Sequence, residues 1–169
     1  MKYILPVVIL LTFFSCKENA LEYNDNLVLL QETLIQRLDE VSQYQQSLEG
    51  KLPSKDNHSE MMKKVDAFSK TADSCNEVVK DDSRFSDQSF HKSALNLFER
   101  YTLLAKSLKK FYTNTKPYLL KEKLNEEESI KLISESNILQ QSVDTVDKWE
   151  NIFITEQAKF AKEHKFQLE

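Results

Sequence analysis

Residues 61–79 read MMKKVDAFSKTADSCNEVV. Apolar side chains fall at Met61, Val65, Phe68, Ala72, Cys75 and Val79, so the steps alternate four and three without a fault. Such steps keep one face of a 3.6-residue helix apolar, whereas a half-buried strand would alternate at every second residue. The stripe predicts a helix from about His58 to Lys80. Asn57 stands as its N-cap, with Glu60 three residues on as partner in a variant capping box. Cys75 sits on the stripe and reads first as a small inert core residue. A reactive or dimer-forming thiol is the second reading.

The same period extends on both sides. Upstream, Leu27, Leu34, Val41 and Leu48 recur every seven residues, with Leu30, Leu38 and Tyr44 beside them. They predict a first helix from about Asn24 to Glu49, capped by Asn24 or Asp25 and closed by Gly50 at the C′ position. KLPSKD then makes a short loop around Pro53. Downstream, the acidic stretch KDDSRFSD breaks the pattern. A third helix is expected from Ser86 or Asp87 to about Thr113, with Phe90, Leu97, Leu104 and Phe111 in one heptad column and Ala94, Tyr101 and Leu108 in the other. TNTKP should end it, because the ring of Pro117 disfavours helix at Lys116.

A fourth helix is expected to begin after Asn125, which pairs with Glu128 as a capping box and precedes three acids suited to the helix dipole. Its stripe of Leu132, Leu139, Val143, Val146, Trp149, Phe153 and Phe160 runs to about His164. It should be the longest helix, near 60 Å at 1.5 Å per residue. Four amphipathic helices with mostly short links define an all-α chain: an antiparallel up-down-up-down four-helix bundle with a long C-terminal helix. A single glycine and three prolines agree with that class, since an all-β domain needs many turn residues. An even helix count returns the C-terminus to the end where the bundle begins.

The first sixteen residues fit no stripe. They read MKYILPVVILLTFFSC, with Lys2 ahead of an apolar run from Tyr3 to Phe14. That run is too short for a ~30 Å hydrocarbon core, which takes about twenty residues. A basic start and a short apolar stretch form a secretory signal. Phe13 is a poor residue three positions before a cut after Ser15, so an ordinary signal site is not the best fit. FFSC instead resembles the bacterial lipobox, although Phe13 stands where the commonest lipoboxes carry Leu. The resemblance implies a diacylglyceryl group on the Cys16 thiol and cleavage just before it. Plain secretion and an uncleaved anchor are the competing readings. Two or more acyl chains suffice for stable anchoring, where one holds only reversibly.

Residues 1–15 are therefore expected to be a lipoprotein signal peptide, 16–23 a lipid-anchored linker and 24–169 the helical bundle domain. Lys17 and Glu18, directly after the cysteine, resemble the surface-export signal of Bacteroidota lipoproteins, which usually carries more acids. Lys17 is not the aspartate that retains enterobacterial lipoproteins at the inner membrane. The expected location is the outer membrane, facing either the periplasm or the cell exterior. Removing residues 1–15 deletes Lys2 and no acid, so 22 basic residues face 27 acidic ones. That mild acidity argues against a nucleic-acid partner, because phosphate binding wants a basic surface. A lipid on Cys16 would leave Cys75 without a disulfide partner.

Motifs for chemistry are sparse. No Glu-x-x-His occurs, which a ferritin-like di-iron bundle requires. The chain has no HExxH and no Cys-x-x-Cys-His, and one glycine excludes a Gly-rich phosphate loop and GxSxG. His58, His91 and His164 fall near helix ends or off the stripes. Asp87 and His91 are four apart and read as a surface pair rather than a metal site. EEES and KDDS read as a helix cap and a solvated loop, since the central glycine of an EF-hand is missing. Trp149 and the aromatics of the third helix read as core.

EYNDNLVLLQ at residues 22–31, ALNLFERYTLLAKSLKKFY at 94–112, LNEEESIKLI at 124–133 and FAKEHKFQLE at 160–169 together are similar to an uncharacterised family of small helical surface lipoproteins of Leptospira and Bacteroidota type. The resemblance implies a surface lipoprotein with a helical domain, and it brings no catalytic residues. The expectation is a membrane-anchored lipoprotein acting as a binding or structural helical module. It would have no catalysis, cofactor or metal, and would meet the membrane through lipid on Cys16 and an unknown protein or envelope partner. A periplasm-facing carrier of a small ligand or metal inside the bundle is the alternative.

Overall fold

The computed structural model describes the backbone of residues 4–49 and 54–168, and the side chains of 19–49 and 54–168. Four helices account for most of it: α1 (Ile4–Ser47), α2 (Lys55–Asp81), α3 (Ser89–Leu119) and α4 (Glu126–His164). Consecutive helices pack side by side, and α4 returns against α1, giving the up-down four-helix bundle expected from the stripes. The return is direct, because the rings of Tyr23 on α1 and Phe160 on α4 lie 5.9 Å apart. The near end gathers Tyr23, Phe85, His91 and Phe160. The far end holds Tyr44, Met61, Tyr112 and Leu119. Among the described residues, no helix is long and apolar enough to cross a membrane.

The core is the stripes made contiguous. Met61, Val65, Phe68, Ala72, Cys75 and Val79 are all buried on α2. Leu27, Leu34 and Val41 meet them from α1, and Leu97, Tyr101, Leu104 and Leu108 from α3. Burying each large apolar side chain contributes about 1.5–3 kcal/mol. Polar links cross between helices along the bundle, among them Tyr101 to Glu150 and Lys109 to Asp66. The Thr102 hydroxyl donates to the Ala72 carbonyl at 3.3 Å, and the Ser107 and Ser142 hydroxyls lie 2.9 Å apart.

The helix ends depart from expectation on three helices: burial overrides the local signal on α1 and α3, and a different cap residue, Ser54, starts α2. α1 does not start at Asn24 but runs through it, and residues 16–23 belong to the same helix. Ala20 and Tyr23 are fully buried, and the Asn24 amide accepts from Gln157 Nε2 on α4 at 2.9 Å instead of capping. α1, with 44 residues, is also longer than α4, with 39. α2 starts one turn early: Ser54 Oγ accepts from the Asn57 amide at 3.0 Å, and Glu60 pairs with Lys63 rather than reaching back. α3 begins at Ser89 and passes through Pro117 to Leu119. Its last turns are held by the fully buried Thr115 and by Leu119 against the core. Gly50 and the loop around Pro53, expected to close the first helix, lie outside the described residues.

α4 follows expectation at both ends. Asn125 Oδ1 accepts from the Glu128 amide at 2.9 Å while Glu128 Oε2 accepts from the Asn125 amide at 3.2 Å, completing the capping box. At its C-terminus Lys165 takes the left-handed conformation, and the Phe166 amide reaches back to the Ala161 carbonyl at 3.1 Å. That closure is a Schellman pattern, with Phe166 folded onto Phe160 as its apolar contact.

Candidate functional site

Cys16, Lys17 and Glu18 belong to α1. Their side chains lie outside the described set, so the expected lipid attachment and export signal are placed only by backbone. From Cys16 the helix axis runs about 48 Å to the far end, at 1.5 Å per residue.

The near end, one and a half turns beyond those residues, is an aromatic and ionic cluster. The Tyr23 ring packs on Phe85 at 5.2 Å and edge-on to Phe90 at 6.1 Å. Its hydroxyl lies 2.6 Å from His91 Nδ1. The Arg84 guanidinium stacks over the same ring at 5.4 Å. Arg84 also holds the Asp82 carboxylate at 2.8 Å and reaches Glu22 at 3.2 Å. Those hydrogen bonds keep the Asp82 carboxyl below its ordinary range. Burial, with Asp82 adding to it, drives the Tyr23 phenol well above its ordinary value. Burial pushes His91 below its ordinary range against the opposing pull of Asp82. Burial thus favours the neutral form of both groups, which share one hydrogen bond.

Phe85 adopts φ 54°, unusual for a bulky residue. The cost of that left-handed backbone, about 1–2 kcal/mol, is offset by its ring lying 5.1 Å from Phe160 and 5.2 Å from His164. His91 therefore is not the surface partner of Asp87 that the spacing suggested, being 4% exposed. Spacing could not reveal this, because its partner lies 68 residues away on α1. Among the described residues, no three His, Cys, Asp or Glu side chains converge to hold a metal.

The far end carries an open cleft of about 270 Å³. Its apolar surface comes from Leu48 of the turn after α1, Met61 of α2, and Phe111 and Leu119 of α3. Gln45, Glu49 and His58 stand around it with their polar groups. Two hydrogen bonds fix the wall formed by Tyr112. Its hydroxyl donates to Gln45 Oε1 at 2.9 Å, and its carbonyl accepts from His58 Nε2 at 2.9 Å. Burial raises the Tyr112 phenol to about 12, so it stays a neutral donor. The stripes predicted Met61 and Phe111 as core. They gave no sign that the seam parts at its far end, because the lining residues come from three separate segments of the chain.

No family model matches the chain, and no curated protein and no solved structure matches it either. The class that fold and site define is thus a four-helix bundle with an aromatic near end and an open far-end cleft, and its function rests on the chain's own residues.

Proposed function

We propose that the protein is an exported bacterial lipoprotein, held in the outer membrane by lipid on Cys16, whose helical domain is a binding module presented away from the bilayer. The observation that carries this reading is the run FFSC with Lys17 and Glu18 after it, set on the helix that leads into the bundle. The likeness of four segments to small helical surface lipoproteins supports it. So does the placement of the cleft about 48 Å along α1 from the anchoring cysteine. Interior carriage of a ligand or metal has less support, because Val65, Phe68, Leu97 and Phe153 fill the centre with no exposed area.

Metabolic labelling with an alkyne fatty acid tests the anchor. The wild-type chain incorporates label and sediments with membranes, and Cys16→Ala does neither. Label retained in Cys16→Ala would sink the reading. Protease shaving of intact cells then separates surface display, in which the bundle is cut, from a periplasmic orientation, in which it is spared.

A further inference from the structure

The chain has three arginines, and two of them hold carboxylates: Arg37 pairs with Glu40 at 2.9 Å and Arg84 with Asp82 at 2.8 Å. Arg100 of α3 is different. It is partly buried, and its Nε has almost no solvent contact and no hydrogen-bond partner among the described residues. A guanidinium N–H left unpaired out of water is costly, and the group's planar fork matches a carboxylate.

Arg100 borders a groove of about 240 Å³ between α3 and α4. That seam lies across the bundle from the seam of α1 and α2. Leu104 is fully buried beneath the groove, while Leu103 and Ile138 stand exposed at its rim. Ile138 and Thr145 on its α4 side are about 10 Å apart along the helix axis, at 1.5 Å per residue. The hydroxyl protons there are already committed: Thr145 donates to the Gln141 carbonyl at 2.7 Å, and Ser142 to the Ile138 carbonyl at 3.3 Å. Every side chain of α3 and α4 is described, and Arg100 is the one charged residue on the lining. Two acids nearby on α4 are turned to other partners, Asp144 to Gln140 and Glu150 to Tyr101. A bare inorganic anion would leave Leu103 and Ile138 uncovered, and an uncharged apolar molecule would leave the Arg100 N–H unpaired. An apolar cavity of ~150 Å³ takes benzene, so about 240 Å³ takes no more than about ten heavy atoms. We infer that this groove binds small apolar carboxylates, with the carboxylate on the Arg100 guanidinium and a body of about five to eight carbons along Leu103, Leu104 and Ile138. The site deepens the binding-module reading by giving it a ligand class; it rests on that part of the reading and not on the lipid anchor.

Isotope-labelled arginine gives one Nε–H signal for each of Arg37, Arg84 and Arg100, so the groove reports on itself beside two internal controls. Arg100→Gln assigns its signal by deleting it. The full chain in neutral detergent micelles is titrated with hexanoate, acetate and 1-hexanol at about pH 6.5, above the ordinary carboxyl range. The Arg100 signal is expected to shift saturably with hexanoate while those of Arg37 and Arg84 stay in place. Acetate lacks the apolar body and 1-hexanol the charge, so each should need at least about tenfold higher concentration for the same shift. Ile138→Glu, a change at an exposed position, sets a carboxylate at the rim and should weaken hexanoate by at least about tenfold. A still Arg100 signal, equal movement of all three arginines, acetate or 1-hexanol acting as well as hexanoate, or undiminished binding in Ile138→Glu would each overturn the proposal. Failure here leaves the Cys16 labelling result untouched, so the two readings fall separately.

Discussion

The Tyr23 hydroxyl stands 2.6 Å from Nδ1 of His91, joining α1 to the first turn of α3. Tyr23 is fully buried and His91 4% exposed. A buried hydrogen bond of this kind makes the near end sensitive to protons. His91 is pushed below its ordinary 6.5 by burial, with Lys92 adding to the shift and Asp82 opposing it. The folded chain therefore takes up this proton at lower pH than the unfolded chain does. The contribution is complete above pH 6.5 and is lost as pH falls from there toward the depressed folded value. Asp82, held low by Arg84, loses its own contribution only below its ordinary 3.8. Urea midpoints should thus fall between about pH 7.5 and about pH 5.5, and the fall should shrink in His91→Gln. An equal fall in both proteins would assign the sensitivity to another group.

Phe160 and Leu132 occupy the same helical stripe, but burial separates their weights. Phe160 is 2% exposed and packs on Phe90 at 5.0 Å and Phe85 at 5.1 Å, whereas Leu132 is half-buried. The buried residues of α4 all lie from Val146 onward. Phe160→Ala should destabilise by about 3–5 kcal/mol and Leu132→Ala by less than about half of that. Amide exchange should follow the same gradient, faster over 126–140 than over 146–161. Equal losses in urea melts would mean that the first half of α4 is buried in solution by something further.

Helical class and order could be read from periodicity because packing in a bundle is one-dimensional along each helix. The α2 stripe is the clearest case, all six of its residues being buried. Asn125 with Glu128 was equally legible, since a capping box is a local contact. Asn24 was misleading for the opposite reason. As a residue type it caps helices, but its partner Gln157 is 133 residues away. His91 failed likewise: an off-stripe histidine reads as exposed until a tyrosine from another helix meets it. The far-end cleft was illegible because its lining residues are gathered from distant parts of the chain rather than from any one residue pattern.

Cys75 should behave as a core atom and not as a reagent. It is 4% exposed, its Sγ lies 3.9 Å from the Leu30 carbonyl, and burial pushes the thiol above its ordinary range. Reaction needs the thiolate and access, and both are withheld. Alkylation of Cys75, read by peptide mapping, should be slower in the native chain than in urea by at least about a hundredfold. Comparable rates in both states would instead expose Cys75 as a site for pairing between chains.

Pro117 is the one position where the helix keeps a residue that opposes it. It lies inside α3 and is exposed, so its ring can neither donate to the Thr113 carbonyl nor gain from burial. The helix continues because Thr115 and Leu119 on either side are anchored to the core. Alanine restores the missing N–H, and in a helix interior the exchange is worth about 3 kcal/mol. Near the end of the helix the gain is smaller. The looser unfolded chain of the alanine variant takes back a further ~0.4–1 kcal/mol. Pro117→Ala should therefore stabilise by about 1–2 kcal/mol and raise the melting temperature by roughly 2–4 °C per kcal/mol. A lower melting temperature would show that the proline's fixed backbone angle holds the turn between Leu119 and Asn125, and that the far end depends on it.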